Sequence, residues 1–476
     1  MVSRRPPLAA ALSALVLAAC VVGPDYQAPE TAPASFVRAG SDTVVGGSLD
    51  ARWWTQLGDP ALSGLVEQAL FANRDLALAL SRVEEARALF RDQRNDAYPQ
   101  LTASGSAQKG EAAQLGANST GPRGQTESLR LGLDAAWELD LFGRVRRGSE
   151  AARADAEAAR ASLHEAQVLV ASEVARNYFE WRGSAQQLDV AARNRDSQKE
   201  TLRLTQVRYD AGRGTELDVA SARARLAATE AGMPLLETQR RSAEHRLAVL
   251  LGQRPGVWQP PATATISALS RPLPVGEAGE LLRRRPDIAR AAAELQAATA
   301  RVGVATADYF PRLSLSGFAG FSAGSFGDLG AASRAWSAGP TLSWAAFDLG
   351  SVAARVDAAD ARSHGAVARY QQTVLTALEE TENAFVAVSQ SRQRLLHTLD
   401  QAAAARRAAE LARIQYKAGV IDFLVLLDAE RSLLAAEDAV AASETAVNTA
   451  AVALYKALGG GWGTEVGPSP VASAAS

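Results

Sequence analysis

Between Ser128 and Phe142 apolar and polar side chains alternate. Leu129, Leu131, Leu133, Ala135, Trp137 and Leu139 fall on one face of an extended chain, and Arg130, Gly132, Asp134 and Glu138 fall largely on the other. That period predicts a strand, and a sheet of such strands is apolar on one side. The run exceeds the roughly 9–11 residues a membrane-crossing strand needs, although a soluble sandwich would carry the same pattern. Further strands are predicted to begin at Leu101 in "LTASGSA" and at Leu313 in "LSLSGFAGF", with Gly/Ser-rich loops over Lys109–Gln125 and Ser322–Ser333. After Gly143 and Gly350 the period changes. Val367, Val374, Leu378 and Phe385 recur in a coiled-coil-like seam, with Arg, Glu and Gln on the other faces. Helices are predicted over Arg144–Asp210 and Ser351–Lys417; at about 66 residues each would be on the order of 100 Å long. The chain then turns at "DAGRGT" or "KAGVID", and a shorter helix returns to Leu251 or Leu458. Earlier helices, Asp59 to about Ala97 and Glu277 to about Asp308, stop just before Pro99 and Pro311.

These elements occur twice because the chain is duplicated. Trp137, Gly143, Tyr209, Gly212, Leu217 and Gly252 recur as Trp344, Gly350, Tyr416, Gly419, Leu424 and Gly459, all at an offset of 207 residues. Upstream the offset is 212, from Asp75 to Asp287 and from Pro99 to Pro311. Residues 59–252 and 277–459 are therefore read as two repeats of helix, two strands and helical hairpin, with a linker at 253–276 and a tail at 460–476.

The N-terminus reads as a targeting segment. Arg4 and Arg5 precede an apolar stretch, Leu8–Ala19, too short to span a bilayer, and it ends in "LAAC". This is the pattern of a bacterial lipoprotein signal, residues 1–19, with Cys20 as the lipidated first residue of an anchored segment, 20–58. Cys20 is the only cysteine, so no intrachain disulfide is possible. No other apolar run reaches the ~20 residues of a transmembrane helix, so a membrane crossing would have to be a closed β-barrel. A net charge of −2 shows no basic excess for nucleic acid. Apolar residues make up 47% of the chain, much of it Ala, which favours thin-walled helix packing over a thick core. Four histidines, His164, His245, His364 and His397, lie in predicted helices without metal spacing, and the Gly-rich run from Gly317 lacks a phosphate-loop order. Neither metal nor cofactor is expected, and an enzyme is the least favoured class.

Several segments in order, "CVVGPDYQAP" from Cys20, "WELDLFGR" from Trp137, "RRRPDI" from Arg283, "FPRLSLSG" from Phe310, "YKAGVIDFLVLLDAERSL" from Tyr416 and "LYKALGGGW" from Leu454, resemble the outer-membrane factor family. These are the TolC-like and OprM-like exit ducts, and the nearest branch is the NodT-type efflux lipoproteins. The resemblance implies a mainly α chain with a membrane β-barrel: a homotrimer closing a 12-stranded barrel in outer-membrane lipid above a periplasmic α-helical barrel. It also implies two partners, a periplasmic adaptor and an inner-membrane transporter of the proton-driven resistance-nodulation-division type, and export of drugs or other small toxic compounds. A type I protein-secretion duct is the alternative within the fold, and a structural envelope-spanning lipoprotein is the distant one.

In that architecture the duplicated turns lie at the periplasmic tip. Tyr209, Gly212, Arg213, Tyr416, Gly419 and Val420 are then expected to form the turns and contact the adaptor. Leu424 and Asp428 match pore-facing gate residues of OprM-like members, with Asp422 nearby. Three Asp428 carboxylates around a trimer axis would repel one another and attract cations, and three Leu424 side chains would resist wetting. Asp218 matches a position that pairs with a second-turn arginine in the TolC prototype, but Ile421 stands where that arginine would be. As plain structure, the turns need be no more than hairpins, and acids early in a helix are favoured by its dipole.

Overall fold

The computed structural model describes residues 21–29, 44–46, 50–112, 124–261, 273–275 and 284–463. In chain order the strands are β1 (Val44–Gly46), β2 (Gln100–Ala112), β3 (Gly124–Leu139), β4 (Leu273–Val275), β5 (Arg312–Ala323) and β6 (Arg334–Ser343). The helices are α1 (Pro60–Ala72), α2 (Arg74–Asn95), α3 (Arg144–Asp210), α4 (Glu216–Leu250), α5 (Pro286–Thr306), α6 (Leu349–Lys417) and α7 (Phe423–Ala457). β1 and β4 form a small parallel pair. Among the described residues no helix is long and apolar enough to cross a membrane.

The chain divides into two units, and each takes residues from both sequence repeats. The first collects Met1–Glu30, Arg82–Ala159 and Arg290–Gln371. It holds an antiparallel sheet in the order β2-β3-β5-β6. The register explains the alternation. Leu133 lies between Ala103 and Ala319, Trp137 beside Leu315, and Leu313 beside Leu342, so one face is apolar across all four strands. That face is not covered: Leu101, Leu131, Leu133, Leu342 and Trp336 are all more than half exposed. The other face carries Ser104, Arg130, Asp134, Ser314 and Ser316. There Arg130 pairs with Asp134 at 2.8 Å and lies 3.8 Å over the Phe318 ring. Gly132 and Gly320 stand opposite each other. A Cβ on Gly320 would lie 2.2 Å from the Leu131 carbonyl oxygen, so glycine is what lets β3 and β5 close here.

The sheet hands over to helix at a tight corner. Asp140 accepts the backbone N–H groups of Val145 and Arg146 at 3.0 and 2.8 Å, capping α3. The N-terminal segment is seated against this corner. Val22 N–H donates to the Phe142 carbonyl at 3.2 Å, and the buried Arg147 guanidinium donates to Asp25 at 2.6 Å. A Cβ on Gly23 would lie 2.4 Å from Gly303 Cα on α5, so the fit there is backbone against backbone.

The second unit collects Thr31–Ser81, Arg160–Ala289 and Gln372–Ser476, and its described secondary-structure elements are helical apart from the β1–β4 pair. Its buried set is rich in Ala, as small residues bring helix axes close. At Gly183 a Cβ would meet Thr445 Oγ1 at 2.2 Å. Larger side chains fill one end: Trp53 stacks on Tyr455 at 4.9 Å and meets Trp54 edge-on. Asp59 caps α1 and receives hydrogen bonds from Tyr178 and Arg182 at 2.7 and 2.6 Å.

Three expectations are corrected. The single helix from Asp59 to about Ala97 is two, because Asn73 leaves helical geometry at ψ 136°. Its side chain accepts the N–H groups of Asp75 and Leu76 at 2.9 and 3.2 Å and donates to the Leu250 carbonyl at 2.9 Å, so it ends one helix and caps the next. The loop over Lys109–Gln125 is shorter than expected. β2 runs on to Ala112 and β3 resumes at Gly124, with Lys109 paired to Glu127 across the ladder. The loop at Ser322–Ser333 also begins later, since β5 ends at Ala323.

Candidate functional site at the helical turns

Both hairpin turns lie in the second unit and use the same backbone device. At the first, the Gly212 N–H donates to the Tyr209 carbonyl and the Arg213 N–H to the Arg208 carbonyl, both at 2.8 Å. At the second, the Gly419 N–H reaches Tyr416 at 3.0 Å and the Val420 N–H reaches Gln415 at 2.9 Å. This pairing closes a helix on a left-handed residue. Gly212 and Gly419 supply it with φ +68° and +75°.

The return helices start differently. Thr215 and Asp218 form a capping box: the Thr215 N–H donates to Asp218 Oδ2 at 3.0 Å and the Asp218 N–H to Thr215 Oγ1 at 3.2 Å. The Asp218 carboxylate therefore serves its own helix end. Asp422 occupies the equivalent cap of α7, yet its side chain accepts no capping hydrogen bond.

The two tyrosines also part company. Tyr209 is partly exposed, whereas Tyr416 is only 5% exposed and packs with Ala222, Ala412, Phe423 and Leu426. The Tyr416 ring lies 5.7 Å from Phe423 and under the Arg208 guanidinium at 4.5 Å, and Arg208 also donates to the Tyr416 carbonyl at 2.7 Å. The Tyr416 side chain lies between the two hairpins and is covered by them, while its carbonyl accepts from Gly419 in the turn. Val420, Leu217, Leu424 and Val425 are among the apolar side chains left exposed around the turns.

The opening of α7 thus has two stripes. Phe423, Leu426 and Glu430 are buried at helical spacing. Leu424 and Asp428, four residues apart, are exposed on another face, and Asp428 pairs with Arg431 at 3.1 Å. Glu430 had not been singled out in the sequence. It accepts from Arg413 at 2.9 Å and from Thr201 at 3.1 Å. The legible signal was a carboxylate on an otherwise apolar stripe, at a position where the first repeat has Arg223. Cys20 lies outside the described residues. Among the described residues no group of three or more His, Cys, Asp or Glu side chains could hold a metal ion.

The chain is similar to known proteins along most of its length. The family model for outer membrane efflux proteins matches residues 65–253 and 278–460. Nodulation protein T of Rhizobium leguminosarum bv. trifolii is 33% identical over 431 residues, covering 88% of this chain and 90% of its own. The antibiotic efflux pump outer membrane protein ArpC of Pseudomonas putida is 32% identical over 471 residues, covering 97% and 96%. The solved structure of the outer-membrane channel OprN superposes with a TM-score of 0.89 at 49% identity, over 93% of this chain and all of that one. Two matched repeats, relatives above 30% identity along nearly the whole length and a shared channel fold lead to one conclusion: the chain belongs to the outer membrane efflux protein family and is a TolC-like outer-membrane efflux channel.

Proposed function

We propose that three copies of the chain form the exit duct of a tripartite efflux pump. The observation that carries this reading is the sheet of the first unit. Its edges, β2 and β6, each have a partner on one side only among the described residues, and one face exposes a continuous set of Leu and Trp. Unpaired edges in lipid would leave backbone groups without partners. Joining β2 of one copy to β6 of the next three times closes twelve strands and turns the apolar face to lipid. Cys20, lipidated, would anchor the N-terminal segment, which already lies beside the strand-to-helix corner at Phe142.

The hairpin turns would form the periplasmic end. Tyr209, Gly212, Arg213, Gly419 and Val420 would meet a periplasmic adaptor, which would link the duct to an inner-membrane transporter of the resistance-nodulation-division type. Threefold symmetry would gather Leu424 and Asp428 around the axis as the gate. The free carboxylate of Asp422 supports a place for it at the same mouth, whereas Asp218, held in its capping box, would act on the gate only by fixing the first turn. The cargo would be drugs or other small toxic compounds, as the name of the ArpC relative suggests for antibiotics.

The test is single-channel conductance of the purified protein in planar bilayers. The double change Leu424→Ala, Asp428→Ala is expected to raise conductance above that of the parent. Unchanged conductance from a folded trimer would sink the gate assignment.

A further inference from the structure

One buried carboxylate near the second turn, on α7, is faced by groups from the other three hairpin helices. Glu430 of α7 is 5% exposed. It accepts hydrogen bonds from Arg413 of α6 at 2.9 Å and from Thr201 of α3 at 3.1 Å. The same Arg413 guanidinium donates to Ser197 of α3 at 2.8 Å. Arg225 of α4 is half-buried and its Nε has no hydrogen-bond partner. Burial, and next the like charge of Arg431, push the Arg225 guanidinium below its ordinary value, while Glu430 acts in the opposite direction. Arg431, in turn, is the partner of Asp428. Arg225 and Arg431 are thus close enough to repel one another, and Glu430 opposes that charge while also pairing with the Arg413 guanidinium.

We infer that Glu430 is a positioning residue for the gate, a keystone that binds α7 to α3 and α6 and neutralises the arginines that would otherwise drive the gate-bearing turn outward. The inference rests on the gate reading above. Its geometry explains why one residue can have this effect. Glu430 lies two residues beyond Asp428 and six beyond Leu424 on one helix, so any displacement of its anchor moves both. Removing the charge leaves like charges facing one another in a half-buried site, where solvent screens them only in part. The first turn has no equivalent, since Arg223 stands at the corresponding position, so the device would make the second hairpin the one that moves.

The experiment is the conductance of the full-length trimer carrying Glu430→Gln, measured beside the parent and the Leu424→Ala, Asp428→Ala double variant. Gln keeps the shape and the bond to Thr201 but not the charge. Breaking a buried pair on one side is strongly destabilising. With Arg413 two-fifths exposed and its share of the effect discounted, the open fraction is expected to rise on the order of tenfold. Adding Arg413→Gln to Glu430→Gln removes one excess charge and is expected to bring conductance back toward the parent. A packing role alone predicts further opening in that double variant, and that result would overturn the inference. So would parental conductance for Glu430→Gln while the Leu424, Asp428 variant opens, which would leave the gate reading standing. If neither variant opens, the gate reading falls and the keystone with it. Should Glu430→Gln fail to give trimer, Thr201→Val, which removes only the hydroxyl donor, is expected to open the channel to a smaller extent, and unchanged conductance there overturns the inference as well.

Discussion

Bulky side chains at the turn glycines should separate turn geometry from docking. A Cβ built on Gly212 or Gly419 meets nothing within 4 Å, so Leu at either position adds no clash within the chain. What remains is the left-handed backbone, φ +68° and +75°, which costs a residue other than glycine roughly 1–2 kcal/mol. That is a small part of the about 5–15 kcal/mol that holds a folded protein together. The turn bonds, Arg213 N–H to Arg208 and Val420 N–H to Gln415, are backbone bonds and survive the change. Gly212→Leu and Gly419→Leu are therefore expected to reach the outer membrane as trimers that dissociate only on heating, yet to lose drug resistance, because the added side chains stand where an adaptor would sit. The assays are heat-modifiable mobility in outer-membrane fractions and drug susceptibility of a strain lacking the native duct. Trimer lost would mean that the glycines matter for folding alone. Trimer present with full resistance would mean that nothing docks at these turns.

Gly320→Ala should behave in the opposite manner, because its Cβ would lie 2.2 Å from the Leu131 carbonyl oxygen and 2.5 Å from Gly132 Cα on the paired strand. Forcing β3 and β5 apart is expected to cost about 1–3 kcal/mol or more, read as reduced trimer in the outer membrane; normal trimer yield would refute the close approach. His164, stacked on Trp462 at 4.6 Å, is held below its ordinary value of 6.5 by burial and then by Arg160. The unfolded chain therefore takes up the proton first, and stability present above about pH 6.5 is lost as pH falls through the lower folded value. Melting temperature should accordingly drop more between pH 7 and pH 5 in the parent than in His164→Phe, and equal drops would contradict the assignment.

Much of this was legible along the chain, for physical reasons. A period of two over Leu129–Leu139 survives into the register of the sheet because one face must be apolar throughout. The turns were legible because a left-handed helix end asks for glycine, and Gly212 and Gly419 supply it at matching positions. Other features depend on tertiary contacts that periodicity does not carry. Asn73 looks like any polar residue in an amphipathic run until its amide is seen bonded to Leu250. Tyr209 and Tyr416 are the same residue in the same motif, but only Tyr416 has Phe423 and Arg208 packed on it. Glu430 sits on an apolar stripe because Arg413, just across the turn, and Thr201, distant in sequence, meet it there.

On this reading the open four-stranded sheet becomes a closed barrel only when three copies combine. The most direct measurement is the mass of the protein extracted from outer membranes in mild detergent. Three chains that separate into single chains on heating are expected. A single chain, recovered from the soluble periplasmic fraction without heating, would contradict this reading.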